Sequence, residues 1–350
     1  IQRFFKRELP AGVNAGNART ANGDPRSDLY PVRIDRRGLR PGTLYVDPRG
    51  PVFIVVELVD RREETGGMVM VVDGQPDGTI VRRRFWEGTA VWHPEPALGG
   101  TGFKRFRPVV VDGGAVVQLD DEAIADVPSH ADLWRGHAEL GAQDFYDAVS
   151  GAVDPPPRDP ERVLREAVAA LFDLVQERVG VVERGAAYVR KKRKPLPMPA
   201  GLSLFVAGGA WDEHATPARD LRLLAAIDSI QALPDRVRAR PELFTLTGEA
   251  EAAAAQLERS LAETLANHRF SYRRSDGSRQ ELSLADVVAR AAALERAYNP
   301  NDCPELRWGA EPGSEEAATC SFRAPPAQQV QMERQREWFR ARRPQFGRSP

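Results

Sequence analysis

The dominant apolar period of this chain changes between its first third and the remainder, and that change limits the folds open to it. From 30 to 119 the apolar runs are short and separated by turn residues. From Pro160 onward apolar residues recur every three to four positions over long stretches. The first pattern belongs to strands and the second to helices. A block of strands followed by a block of helices places the chain in the α+β class. The expected architecture is a small barrel-like or sandwich-like β domain followed by a larger, mainly helical domain. At 350 residues the chain is long enough for both.

The β block contains Thr43–Val46, Val52–Val59, Met68–Val72 and Thr79–Val81 as strands, with a turn at 73–78. Pro108–Val111 and Ala115–Leu119 flank Asp112-Gly113-Gly114, a hairpin signal. Five or six such strands in about ninety residues suit a small closed or two-layered sheet.

Helix signals follow. Asp120 reads as a cap for a short helix through Ala125, and Ala131–Val149 reads as a helical stretch in which Gly136 and Gly141 are unfavourable. The spacer Asp154-Pro155-Pro156-Pro157-Arg158-Asp159-Pro160 stops it. Asp159 then caps a long helix that begins at Pro160 and carries a wide apolar face as far as Val179. Thr216 and Pro217 open a helix over 217–233. Glu249–Asn267 and Leu284–Tyr298 are two more, the latter with Ser283 and Asp286 placed for a capping box. Arg269–Leu282 reads as a hairpin around Asp276-Gly277. Ala327–Arg342 forms a tail helix. The expected organisation is an extended arm over 1–29, a β domain over 30–119, a helical domain over 120–300, and a loop with a basic helix over 301–350.

Bulk charge excludes little but weakens two classes. The formal net charge is −1, so no global field attracts nucleic acid or an anionic membrane. No stretch approaches the roughly 20 apolar residues that a spanning helix needs. The apolar fraction of 42% is that of an ordinary folded protein. Arginine greatly outnumbers lysine, and Ala, Gly and Pro are abundant; we read this as the coding bias of a GC-rich bacterium.

Asp220 is the most unusual residue. On the 217–233 helix, Leu223, Leu224, Ile227 and Ile230 share one face, and Asp220 falls within it. A carboxylate there must be paired, hydrogen-bonded or protonated. One reading is an ion pair that fixes helix register. The other groups Glu213, His214 and Asp220 as an acid/base cluster near a helix N-terminus, as in a hydrolase acting on a polymer.

Several other features carry two readings each. Phe4 and Phe5 either anchor the arm on its own domain or contact a neighbouring subunit. From Arg323 on, seven arginines face two glutamates, with Met332, Trp338 and Phe339 among them. Such a helix, with Arg334, Trp338, Phe339 and Arg342, either docks on its own body or grips a protein groove, a membrane or nucleic acid. The run Arg190-Lys191-Lys192-Arg193-Lys194 either complements a helix C-terminus or binds an acidic partner or phosphates.

Cys303 and Cys320 are the two cysteines of the chain. They form a disulfide or remain separate thiols in a reducing compartment. The chain starts at Ile1 rather than Met, which suggests a removed N-terminal segment and keeps export open. Asn301, Asp302, Glu305, Glu315 and Glu316 match no calcium-loop spacing, so no metal is assigned. Dinucleotide, phosphate-loop, zinc-protease and nucleophile-elbow signatures are absent, and no cofactor is implied. With no catalytic signature and two ends that look able to reach outward, the leading expectation is a non-catalytic subunit of a larger bacterial assembly. A nucleic-acid-binding module is the third alternative.

Overall fold

The computed structural model describes residues 2–3, 15–48, 52–74, 79–93, 100–205 and 209–343. Phe4, Phe5 and the expected turn residues 75–78 lie outside the described residues. The architecture is α+β, as the change of period implies. Contacts divide the chain into two compact units, one up to residue 155 and one from 156 onward.

The first unit is built on an antiparallel sheet of β1 (Leu29–Pro31), β2 (Leu44–Val46), β3 (Val52–Val59), β4 (Met68–Gly74), β5 (Ile80–Arg84) and β6 (Gly102–Phe106). Its strand order is β1-β6-β2-β3-β4-β5. Alternation sets the inner face: Phe53 and Val55 of β3 and Val69 and Val71 of β4 are buried, while Ile54 and Val56 look outward. A register shift between Val55 and Glu57 marks a bulge on β3. Tyr45 packs among Phe53, Phe85, Phe103 and Phe145, and Trp92 stacks on Phe145 at 5.0 Å. Its hydroxyl donates to the Val91 carbonyl at 2.6 Å, so the ring is buried without an orphaned donor.

Periodicity did not reveal β1 and β6. In β6 Phe103 faces the aromatic core, and Lys104 on the opposite face is also buried, only 1% exposed, which hides the alternation. Its Nζ donates to the Thr20 carbonyl at 2.5 Å, so residues leading into β1 cover it. Burial lowers the Lys104 pKa to about 7.

Two further strands, β7 (Val109–Asp112) and β8 (Ala115–Gln118), pair only with each other among the described residues. The expected hairpin is present but stands apart from the six-stranded sheet. After it come α1 (Asp121–Ala125), whose first turn Asp120 caps, and α2 (Ala142–Val153). No α-helix forms across 131–141, where only a 3-10 turn, Gly136–Glu139, appears, Gly136 lies against the Trp134 ring and Gly141 becomes the extended N-cap of α2.

The second unit is centred on α3 (Pro160–Lys192), with Asp159 as N-cap, accepting from Glu161 N, and Arg193 closing it in the left-handed region. After α4 (Gly209–His214), α5 (Pro217–Ala239) is buried on nearly every side. It runs through Pro234, beyond the expected stop, because burial along its whole length outweighs one lost backbone bond. Next come α6 (Ala250–Asn267) and the hairpin of β9 (Arg269–Arg273) and β10 (Arg279–Ser283). Ser283 and Asp286 form the capping box of α7 (Leu284–Ala289). The expected single helix to Tyr298 breaks at Arg290, whose side chain reaches Glu316 and the Trp308 carbonyl; α8 (Ala291–Leu294) follows. A short α9 (Pro304–Arg307) and the tail helix α10 (Pro326–Arg342) complete the chain.

Candidate functional site

Asp220 sits in the first turn of α5 and is fully buried. Arg178 of α3 grips it with two hydrogen bonds, Nε to Oδ1 at 2.8 Å and Nη2 to Oδ2 at 3.0 Å. Thr216 Oγ1 donates to Oδ2 at 2.9 Å. Both carboxylate oxygens are therefore occupied, and the group reads as a structural anion. The partner comes from another helix rather than from Arg219 or Arg222. Arg219 instead pairs with Glu177 at 2.9 Å.

A second buried cation, Arg307 of α9, approaches the same place. Its Nη2 donates to the His214 carbonyl at 3.1 Å and to Thr216 Oγ1 at 3.3 Å. Burial and the neighbouring Arg178 lower its pKa to about 9, while Asp220 and Asp302 hold it up. It thus stays charged at neutral pH. Arg307 thus reaches Asp220 through the Thr216 hydroxyl, whereas Arg178 binds the carboxylate directly and also stacks over the Trp308 ring at 4.6 Å.

The other expected acid/base residues are not gathered around Asp220. His214 Nε2 lies 3.7 Å from Glu213 Oε2, and Glu213 is exposed. The His214 ring packs on Tyr188 at 4.4 Å. Burial and the charges of Arg307 and Arg184 lower its pKa against the pull of Glu213, so it is neutral at pH 7. His214 therefore has one acidic neighbour, and Asp220 is bound elsewhere.

The tail helix packs on its own body. Phe339 is 0% exposed and stacks on Tyr298 at 5.3 Å. Trp338 is half-buried against Phe205 at 4.3 Å. Arg336, Arg340 and Arg343 converge on the buried Glu295 at 3.0–3.1 Å. The Leu196 carbonyl accepts from Gln328 Nε2 and Asn301 Nδ2, and the Pro199 carbonyl from Gln331 Nε2; the proline-rich segment thereby straps α10 in place. Arg334 is exposed. Of the Arg342 side chain nothing is described.

The loop after α8 is equally committed. Cys303 and Cys320 form a disulfide with a Cα–Cα distance of 5.6 Å. Glu305 accepts from Ser275 N and Oγ and from Thr319 Oγ1. Glu316 holds Arg290 and the Tyr272 hydroxyl. Cys303, Glu305 and Cys320 are close together, but the sulfurs are bonded to each other and offer no thiolate.

The most distinctive surface lies in the first unit, on the β7–β8 hairpin. Val111 and Val116 are 76% and 73% exposed, and Val109, Val110 and Val117 are also open. Both strand edges lack a neighbouring strand among the described residues. The hairpin nevertheless has a firm base. Arg107, buried beneath it, donates to the Ser27 and Leu119 carbonyls at 2.7 and 3.3 Å and pairs with Asp121 at 2.7 Å. Gln118 Nε2 donates to Asp28 Oδ1 at 3.1 Å. The sequence signal was present: Val109-Val110-Val111 and Ala115-Val116-Val117 put apolar groups on both faces, without the polar alternation of a half-buried ribbon. No protein-family model, no curated protein and no solved structure matches this chain.

Proposed function

We propose that this chain is a non-catalytic interaction subunit of a larger bacterial assembly and that the β7–β8 hairpin is its gripping element. The exposure of its valines on an anchored ribbon carries the reading. Monomeric surfaces rarely leave a contiguous apolar patch uncovered. Exposed strand edges are ordinarily blunted by lysine, inward charge or a covering loop. Between Val109 and Gln118 the single charged residue is Asp112, at the turn.

The occupant that fits is a partner chain offering an apolar strand edge. Pairing with β7 or β8 satisfies the main-chain groups of that edge, and the valines fill its side-chain pockets. The expected source of the contact is thus the hairpin rather than the tail, whose Phe339 is already buried by Tyr298 and Phe205.

The test replaces both outermost valines, Val111→Lys and Val116→Lys, in the chain produced in its own cells. Native mass measurement should find the unaltered chain bound to other subunits and the double variant alone, with equal melting temperatures. Unaltered protein recovered as a lone monomer would overturn the proposal. Self-association of the purified chain that the substitutions abolish would replace the assembly with a homodimer.

A further inference from the structure

A cleft of about 350 Å³ opens in the second unit between α8, α9 and α10. Leu306, Met332 and Ala293 contribute apolar wall, and charged groups of both signs line it. Pockets that bury small ligands begin at about 300 Å³.

Asp302 is the fixed point of the cleft. It is 6% exposed, and its Oδ1 accepts from the Ala324 amide at 2.9 Å. Oδ2 takes no hydrogen bond from any described residue. Next to it, Cys303 N donates to the Phe322 carbonyl and the Cys303–Cys320 disulfide closes the loop. The carboxylate is therefore held while one oxygen lacks a partner. Burial raises its pKa, and Arg307, Arg323 and Arg296 act against that rise.

The opposite charge in the cleft is Arg323, which makes no ion pair or hydrogen bond among the described residues. It lines the same cleft as Asp302 and does not pair with it. Arg296, also on the lining, is held by Glu333 at 2.7 Å. Exposed Glu311 is a second anion without a described partner. A carboxylate and a guanidinium thus share one small cleft with apolar wall, and neither makes a direct ion pair with a described residue. In such a site a ligand bearing both charges gains two charge-assisted contacts at once.

We infer that this cleft binds an aliphatic α-amino acid as the zwitterion, its ammonium on Asp302 and its carboxylate on Arg323. The side chain lies against Leu306 and Met332. The inference is independent of the hairpin, which belongs to the other unit.

Titration calorimetry of the full chain with leucine tests it, with N-acetylleucine and leucinamide as probes lacking one charge each. Leucine should give a saturable heat, and each blocked probe should bind at least tenfold more weakly. Arg323→Gln, at an exposed position, should weaken leucine at least tenfold without changing the melting temperature. Asp302→Asn keeps an acceptor for Ala324 N and should do the same. No heat from leucine at millimolar concentration overturns the inference. Equal binding of N-acetylleucine makes this a plain anion site, and equal binding of leucinamide a plain cation site; either result also overturns it.

Discussion

Gly185 of α3 and the guanidinium of Arg307 are in contact: a Cβ on the glycine would stand 2.8 Å from Arg307 Nη1 and 3.1 Å from the His214 carbonyl. The long helix can therefore pass over the buried cation only where it has no side chain. In an exposed helix Gly→Ala gains about 1 kcal/mol. At Gly185 the sign should reverse, because Arg307 is fully buried and has no room to withdraw.

Gly185→Ala is expected to cost about 1–3 kcal/mol, the range for overpacking a closed core. Gly151→Ala, where a methyl meets nothing within 4 Å on α2, should instead stabilise by about 0.5–1 kcal/mol. Urea unfolding of the two variants checks the contrast. Equal effects would mean that the close approach around Arg307 is not constraining.

The tail helix and its C-cap gather three arginines on one buried anion. Glu295 is 1% exposed and receives Arg336, Arg340 and Arg343. Glu295→Gln removes the charge that these three cations share and should cost about 3–5 kcal/mol of local docking, as for breaking a buried pair from one side. Amide exchange over 326–342 should rise strongly, while exchange in the β3–β4 ribbon should not change. Protection equal to that of the unaltered chain would assign the docking to Phe339 and Met332 alone.

The first unit should lose stability in acid through His137. The residue is 1% exposed, and burial lowers its pKa from 6.5 to about 4. The folded state thus holds the neutral ring, while the unfolded chain takes up a proton below pH 6.5. Stability is fully present above pH 6.5 and declines as pH falls toward 4, by up to about 3 kcal/mol. Lys104 acts in the same direction at higher pH. Its folded pKa of about 7 lies below the ordinary 10.5, so stability rises as pH climbs from 7 toward 10.5. Amide exchange over 100–153 as a function of pH reads both limbs. His137→Gln should flatten the acid limb and Lys104→Met the basic one; unchanged slopes would count against these assignments.

Much of the local structure was legible in the sequence. Asp159-Pro160, Thr216-Pro217 and Ser283 with Asp286 each start a helix where the residue pattern places it. Asp112-Gly113-Gly114 and Asp276-Gly277 each turn a hairpin. These signals act through groups only a few residues apart: Asp159 and Ser283 accept from nearby backbone amides, whereas Thr216 makes no side-chain cap bond and its hydroxyl donates to Asp220 instead. The sequence also marked Asp220 as a carboxylate in need of a partner, since the stripe it interrupts is a local pattern.

Only the tertiary structure decided which partner and which surface. Arg178 lies 42 residues from Asp220, and no local rule selects it over Arg219 or Arg222. Lys104 looks like a surface residue until the backbone of Ala18 and Thr20 closes over it. Periodicity shows which face of an element is apolar but not what meets that face. Phe339 and Val111 are both large apolar groups, yet Phe339 is buried by Tyr298 and Phe205 and Val111 remains in solvent. The difference arises because burial belongs to two surfaces brought together across the chain, and a sequence records them one at a time.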